Sequence, residues 1–225
     1  MNLNLSIPCK AFPKPNELEE GFVDEPLVPL SGDFVVKPFY YQMGIEGALD
    51  ECYVRETVKE KLLEAQAYLP EGLKFAVMDG YRPLAVQEYL WNKERRKLQR
   101  IYGSCTEELL DEMTSKYVSK PSYDINNPSV HNTGGAVDLT LITDNGYYLD
   151  MGTQFDDFST SAWTDEFEDT VLFPEVRNNR RILYNAMTQA GFTNLPTEWW
   201  HFDYGDKFWA YYTGKPQLYK GLLVL

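Results

Sequence analysis

Histidine occurs only twice in this chain of 225 residues, and each copy stands near an acid. The first lies in the run Ser129-Val-His131-Asn-Thr-Gly-Gly-Ala-Val-Asp138, and the second ends Glu198-Trp-Trp-His201. Two imidazoles and one carboxylate make a three-donor set that zinc accepts in catalytic sites, where the fourth position stays open to water. The three cysteines, Cys9, Cys52 and Cys105, form no Cys-x-x-Cys pair and no disulfide framework, so a closed sulfur-ligated site is not indicated. Zinc brings a bound water to a pKa of roughly 7 and polarises a carbonyl. Hydrolysis then needs a base beside that water, and Glu198 is the natural one. The expectation is one Zn2+ per chain on His131, Asp138 and His201, with Glu198 as general base.

Such a site needs rigid elements to hold it. Ala136 to Ile142 reads as a strand, with Val137, Leu139 and Leu141 on one face and Ala136, Asp138 and Thr140 on the other. Gly134-Gly135 lets the chain turn into that strand from the polar loop Lys120–Asn132. Trp199 to Tyr204 also reads as a strand, with Glu198 at its entry behind Pro196 and His201 inside it. Leu73 to Met78 is a third strand, closed by the turn signal Asp79-Gly80. Helical spacing runs from Val54 to Leu69, from Pro83 to about Arg100, from about Thr106 to Tyr117, and from Arg177 to Ala190, the last stopped by Gly191. Strands and helices mix without a βαβ rhythm. That predicts an α+β single domain, a small, mostly antiparallel sheet flanked by helices. The proline-rich residues 1–38 are expected to form an irregular N-terminal arm packed on a domain spanning 39–225.

Composition narrows the partners. With 21 basic and 34 acidic side chains the net charge is −13. An acidic surface disfavours nucleic acid and anionic membranes, but a metal and an arginine can reverse the sign locally around a small substrate. No run approaches the ~20 apolar residues of a membrane span. The start, Met1 to Cys9, has neither a basic n-region nor a long apolar h-region, so a cytoplasmic location is expected, or a periplasmic or secreted one if a leader has been removed. Oligomeric state leaves no signal in the sequence.

The two histidine clusters resemble those of the VanX-type D-alanyl-D-alanine dipeptidases, within the zinc peptidases of family M15 that also contain the D,D-carboxypeptidases. The family's Ser-x-His-x-x-Gly-x-Ala-x-Asp is matched at Ser129, His131, Gly134, Ala136 and Asp138, and its Glu-x-Trp-His at Glu198, Trp200 and His201. Asp79-Gly-Tyr-Arg82-Pro83 and Met151-Gly-Thr-Gln-Phe-Asp156 match two further motifs in order, and the likeness spans roughly residues 40 to 205. The resemblance implies a Hedgehog/DD-peptidase-like fold and zinc-dependent cleavage of a small D-Ala-D-Ala-type dipeptide. It implies that Arg82 stabilises the oxyanion, that Asp156 binds the substrate's free amino group and that Ser129 helps hold the substrate. The family's substrate-contacting tyrosine has two candidates, Tyr40 and Tyr41, with Tyr41 carried forward. Elementary chemistry agrees for two of these: a planar guanidinium can grip a tetrahedral oxyanion, and a buried carboxylate calls for a cationic partner. Two alternatives stand beside this reading. One is a D,D-carboxypeptidase or endopeptidase on cell-wall peptides, and the other is a non-catalytic zinc-binding interaction domain of the Hedgehog-like kind.

Overall fold

The structure, a computed structural model, describes residues 2–223. Two short strands, β1 (Leu27–Pro29) and β2 (Val35–Val36), precede a single helical turn, α1 (Phe39–Gln42). Strand β3 (Tyr53–Arg55) leads directly into α2 (Glu56–Ala67). Strand β4 (Leu73–Asp79) is followed by α3 (Leu84–Tyr102) and α4 (Glu107–Thr114). The long strand β5 (Ala136–Thr143), α5 (Pro174–Gln189), β6 (Thr193–Asn194), β7 (His201–Asp203) and α6 (Lys207–Thr213) complete the chain.

The main sheet has five strands in the order β2-β4-β5-β7-β6. Only the β2–β4 pair is parallel; the other three pairings are antiparallel. The α+β, mostly antiparallel expectation is therefore met. One face of the sheet presents Phe75, Val77, Val137, Leu139, Leu141 and Phe202 to α2 and α5, which contribute Val58, Leu62, Ala65, Leu183, Ala186 and Met187. All of these are essentially inaccessible to solvent, and this layer is the main core. The opposite face carries the polar residues of the site. A second apolar cluster, with Val86, Leu90 and Trp91 of α3 against Tyr40, Ile45 and Val118, stands beside it.

Several boundaries differ from those read in the sequence, each for a tertiary reason. The predicted helix from Val54 begins only at Glu56, because Tyr53–Arg55 is drawn into an antiparallel ladder with β1. The last helix of the core begins earlier, at Pro174, whose missing N–H costs nothing at a helix start. The proline-rich arm does more than lie on the surface: Val35 and Val36 add an edge strand to the main sheet. A proline-rich stretch suits such an edge, where half the backbone N–H groups need no partner. Among the described residues no helix is long and apolar enough to cross a membrane.

Candidate active site and metal centre

Three neighbouring strands bring the polar residues into one row. In the sheet register Asp138 of β5 stands opposite His201 of β7 on one side and Asp79 of β4 on the other. A bulge makes the second pairing possible. Val77 faces Leu139, but the next paired residue is Asp79, not Met78. Without that extra residue Met78 would oppose Asp138 and Asp79 would turn to the core face.

His131 arrives from a short 3-10 turn, Val130–Thr133, that Gly134 ends with φ +74°. A Cβ on Gly134 would collide with the Leu27 side chain, and one on Gly135 would sit 2.6 Å from the Tyr204 carbonyl oxygen. The two glycines thus set the sharp entry into β5. The Glu198 turn is equally specific. Glu198 N–H bonds the Leu195 carbonyl at 3.1 Å, and His201 N–H bonds the Glu198 carbonyl at 3.3 Å. Asn194 braces this turn with its amide on the Glu198 and His201 carbonyl oxygens. In a straight strand Glu198 and His201 would point apart. The turn instead brings the Glu198 carboxylate to 4.0 Å from His201 Nδ1.

Hydrogen bonds assign the tautomers. His131 Nδ1 is 2.8 Å from the Gly80 carbonyl, so it donates, and Nε2 presents a lone pair. His201 Nε2 is 2.8 Å from Asp203 Oδ1, so it donates, and Nδ1 faces the site. His131 Nε2 and His201 Nδ1 lie 3.1 Å apart. Asp138 Oδ1 is 2.9 Å from His201 Nδ1, and Asp138 Oδ2 is 3.4 Å from His131 Nε2. Donors ~2.0–2.1 Å from a tetrahedral zinc ion stand ~3.3 Å from one another. The three side chains are all buried and their donor atoms converge. Electrostatics says the same. Burial opposes a charge on His201, but Asp203 and Asp138 outweigh it and hold the proton affinity well above the usual imidazole range. Burial likewise opposes the Asp138 charge, and His131 and His201 outweigh it and keep that carboxyl far below its ordinary value. Lone pairs crowded around one point call for a cation there, and the nitrogen-rich set suits zinc.

Around this point a cavity of about 200 Å³ is lined by Tyr40, Arg82, Ser129, Asp156, Glu198 and Trp200, besides the three donors. Drug-sized ligands occupy ~300–1,000 Å³, so this space suits something smaller. Burial pushes the Glu198 carboxyl up to about 7, against the pull of His201. A carboxyl poised there can take and return a proton near neutral pH. Arg82 is fixed by four groups: Nε donates to Asp79 at 2.7 Å, Nη1 to Gln87 Oε1 at 3.0 Å, and Nη2 to Tyr40 Oη and to Asp138 Oδ2, each at 3.4 Å. Asp156 follows Phe155, whose ring packs on Phe39 and Trp200. Its own backbone is left-handed, φ +64°, a conformation few non-glycine residues adopt. Burial raises the Asp156 carboxyl, with Arg82 opposing, and Tyr40 donates its hydroxyl to it at 3.4 Å. The Ser129 hydroxyl is buried in the cavity wall with no partner among the described residues.

The structure therefore gathers His131, Asp138, His201, Glu198, Arg82, Asp156 and Ser129 around one space. Tyr41 is the exception. It is 52% exposed and does not line the cavity, whereas its neighbour Tyr40 is buried between Arg82 and Asp156. Two adjacent residues of one helical turn cannot face the same way, and the apolar contacts of Phe39 and Phe155 draw Tyr40 inward. Three supporting residues escape sequence reasoning: Asp79 and Gln87 on Arg82, and Asp203 on His201. Asp203 left a signal, since a residue two places on in a strand shares the face of the first.

Known proteins resemble this chain over most of its length. A D-alanyl-D-alanine dipeptidase of Synechocystis is 29% identical over 209 residues, covering 83% of this chain and 85% of its own. One from Escherichia coli is 31% identical over 134 residues, covering 59% and 55% respectively. A vancomycin-resistance D,D-pentapeptidase, VanY, solved in complex with Zn(II), superposes with a TM-score of 0.47 at 15% identity over 92% of this chain and 95% of that one. The Peptidase_M15 family, described as D-ala-D-ala dipeptidase, matches residues 42–215, a span that holds every residue of the row just described. By that match, which takes in well over half of its length, the chain belongs to the M15 peptidases.

Proposed function

We propose that the chain hydrolyses a D-Ala-D-Ala-type dipeptide to free amino acids with one zinc ion held by His131, Asp138 and His201. The observation that carries the reading is the convergence of three buried donor atoms beside a carboxyl raised to about 7. Zinc bound there would make water nucleophilic near neutral pH and polarise the scissile carbonyl. Glu198 then serves as general base, taking the proton of the attacking water, and returns it to the leaving amine. Arg82, held flat by Asp79 and Gln87, presents Nη2 to the oxyanion that forms. Asp156 receives the substrate's ammonium, with Tyr40 as a second contact. Ser129 offers its unpartnered hydroxyl to the bound peptide.

Asp156 supports a dipeptidase over a carboxypeptidase acting on longer cell-wall peptides. A longer substrate would place a neutral amide against that buried carboxylate and leave its charge uncompensated. Glu198, set beside the donors without being one of them, supports catalysis over a purely zinc-binding module. The test is hydrolysis of D-Ala-D-Ala beside an N-acylated tripeptide ending in D-Ala-D-Ala, with zinc content measured on the same sample. Free D-Ala from the dipeptide is the expected product. Preference for the acylated tripeptide would defeat the dipeptidase reading, and zinc-loaded protein that cleaves neither would defeat the enzymatic one.

A further inference from the structure

The catalytic cavity does not end at Glu198. Beyond that residue lies an apolar groove of about 450 Å³, walled by Tyr117, Phe158 and Trp163. Glu198 lines both spaces, but Asp156, Arg82 and the three metal donors line only the cavity. A dipeptide with its ammonium on Asp156 and its leaving amine at Glu198 therefore points its C-terminal residue toward the groove. Phe12 stands on the seam where the two spaces meet, and Tyr117 and Phe158 line both spaces with it.

Phe12 comes from the N-terminal arm, outside the stretch 42–215 that matches the family. Its position is nevertheless well defined. Its ring packs edge-on against Phe208 of α6, with centroids 6.1 Å apart. The adjacent Ala11 carbonyl accepts the Tyr212 hydroxyl at 2.6 Å. Lys10 sets its ammonium over the rings of Tyr184 and Tyr212, at 5.5 and 5.3 Å. Further back, Ile7 is buried in the core and its N–H bonds Glu168 at 3.1 Å. Such anchoring is more than a mobile terminal arm needs.

We infer that Phe12 is a specificity-determining residue: its ring narrows the opening between the cavity and the groove and restricts the leaving residue of the dipeptide to a small side chain. This rests on the proposed dipeptidase reading and on the direction of binding that Asp156 and Glu198 define. The experiment compares kcat/KM for D-Ala-D-Ala and D-Ala-D-Phe in zinc-loaded wild type and three variants of the full chain. Phe12→Ala widens the opening between the two spaces and should raise the D-Ala-D-Phe to D-Ala-D-Ala ratio roughly tenfold, the scale on which a pocket rejects excess apolar bulk. Phe12→Trp should lower the ratio. Tyr212→Phe removes the hydrogen bond to Ala11 without touching the cavity, loosens the arm beside Phe12 and should give a ratio between wild type and Phe12→Ala. If the wild type cleaves D-Ala-D-Ala but all three variants keep its ratio within twofold, the inference about Phe12 is overturned and the dipeptidase reading stands. If the wild type cleaves neither dipeptide, the dipeptidase reading falls and takes this inference with it.

Discussion

Replacing Glu198 by glutamine separates the roles a carboxylate could have at this site. The side chain keeps its size, so the cavity and the turn from Leu195 to His201 should survive. Glu198 reaches only to 4.0 Å from His201 Nδ1, whereas Asp138 reaches to 2.9 Å, so zinc content should be unchanged. What disappears is a proton acceptor near the operating pH. General acid–base catalysis contributes about a hundred- to ten-thousand-fold, which is roughly 3–5 kcal/mol of barrier. The expected result is a kcat lowered by that factor with zinc still bound. A second signature comes from the metal-free protein. Burial raises the folded-state carboxyl to about 7, while the unfolded chain titrates near ~4.3. The folded state therefore holds this proton more tightly, and the contribution is fully present below the unfolded value. It is lost as pH rises from the unfolded value through 7, by at most about 4 kcal/mol. Glutamine has no such titration. Metal-free Glu198→Gln should be more stable than metal-free wild type at pH 8 and equal to it near pH 4, measured by urea unfolding. Turnover within a few-fold of wild type would remove Glu198 from the chemistry, and lost zinc would make it a ligand instead.

Other perturbations test the remaining parts. Asp203→Asn removes the charge that orients His201 through Nε2 and should weaken zinc binding about 10- to 100-fold, read by chelator competition; unchanged affinity would make Asp203 a bystander. Asp156→Asn leaves the ammonium without a counter-charge and should raise KM for the dipeptide roughly tenfold or more, with little change for an N-acylated substrate. Dialysis against a strong chelator should abolish hydrolysis and lower Tm, and Zn2+ should restore both. Mg2+ should restore neither, because it prefers oxygen donors in octahedral array. Leu62→Ala, at a fully buried core position that does not line the cavity, should cost about 2–5 kcal/mol in urea unfolding while kcat stays as in wild type.

Much of the fold was legible because long periodic segments dominate it. The alternation in Leu73–Met78 and Ala136–Ile142 announced the two central strands, and Leu183, Ala186 and Met187 marked the buried side of α5. What misled was local pattern overruled by pairing. Val54 and Arg55 fit a helix by spacing, yet β1 supplies their ladder partners, Val28 and Leu27, from 26 and 28 residues away, and backbone hydrogen bonds to those partners outweigh a weak propensity. The edge strand Val35–Val36 is too short to show any period at all.

The site divides along the same line. Side chains able to touch a metal are restricted to a few residue types, so the two histidines of the chain mark the place where the candidate donor set forms. Groups that only orient others are not restricted in this way, and their roles depend on register. Asp79 reaches Arg82 and the row of Asp138 and His201 because one extra residue, Met78, is accommodated in β4. The period-2 rule applied to Leu73–Asp79 puts Asp79 on the face of Leu73, Phe75 and Val77, which is the core. A carboxylate there would be buried without a partner, so the bulge is the arrangement that lets this strand both fill the core and hold the arginine. The same reasoning explains Tyr40. Adjacent tyrosines are equivalent as letters, and they differ only once Phe39, Phe155 and Arg82 surround one of them. A register-dependent group is recognisable in sequence only where an unexplained polar residue sits next to a strand end, as Asp79 and Asp203 both do.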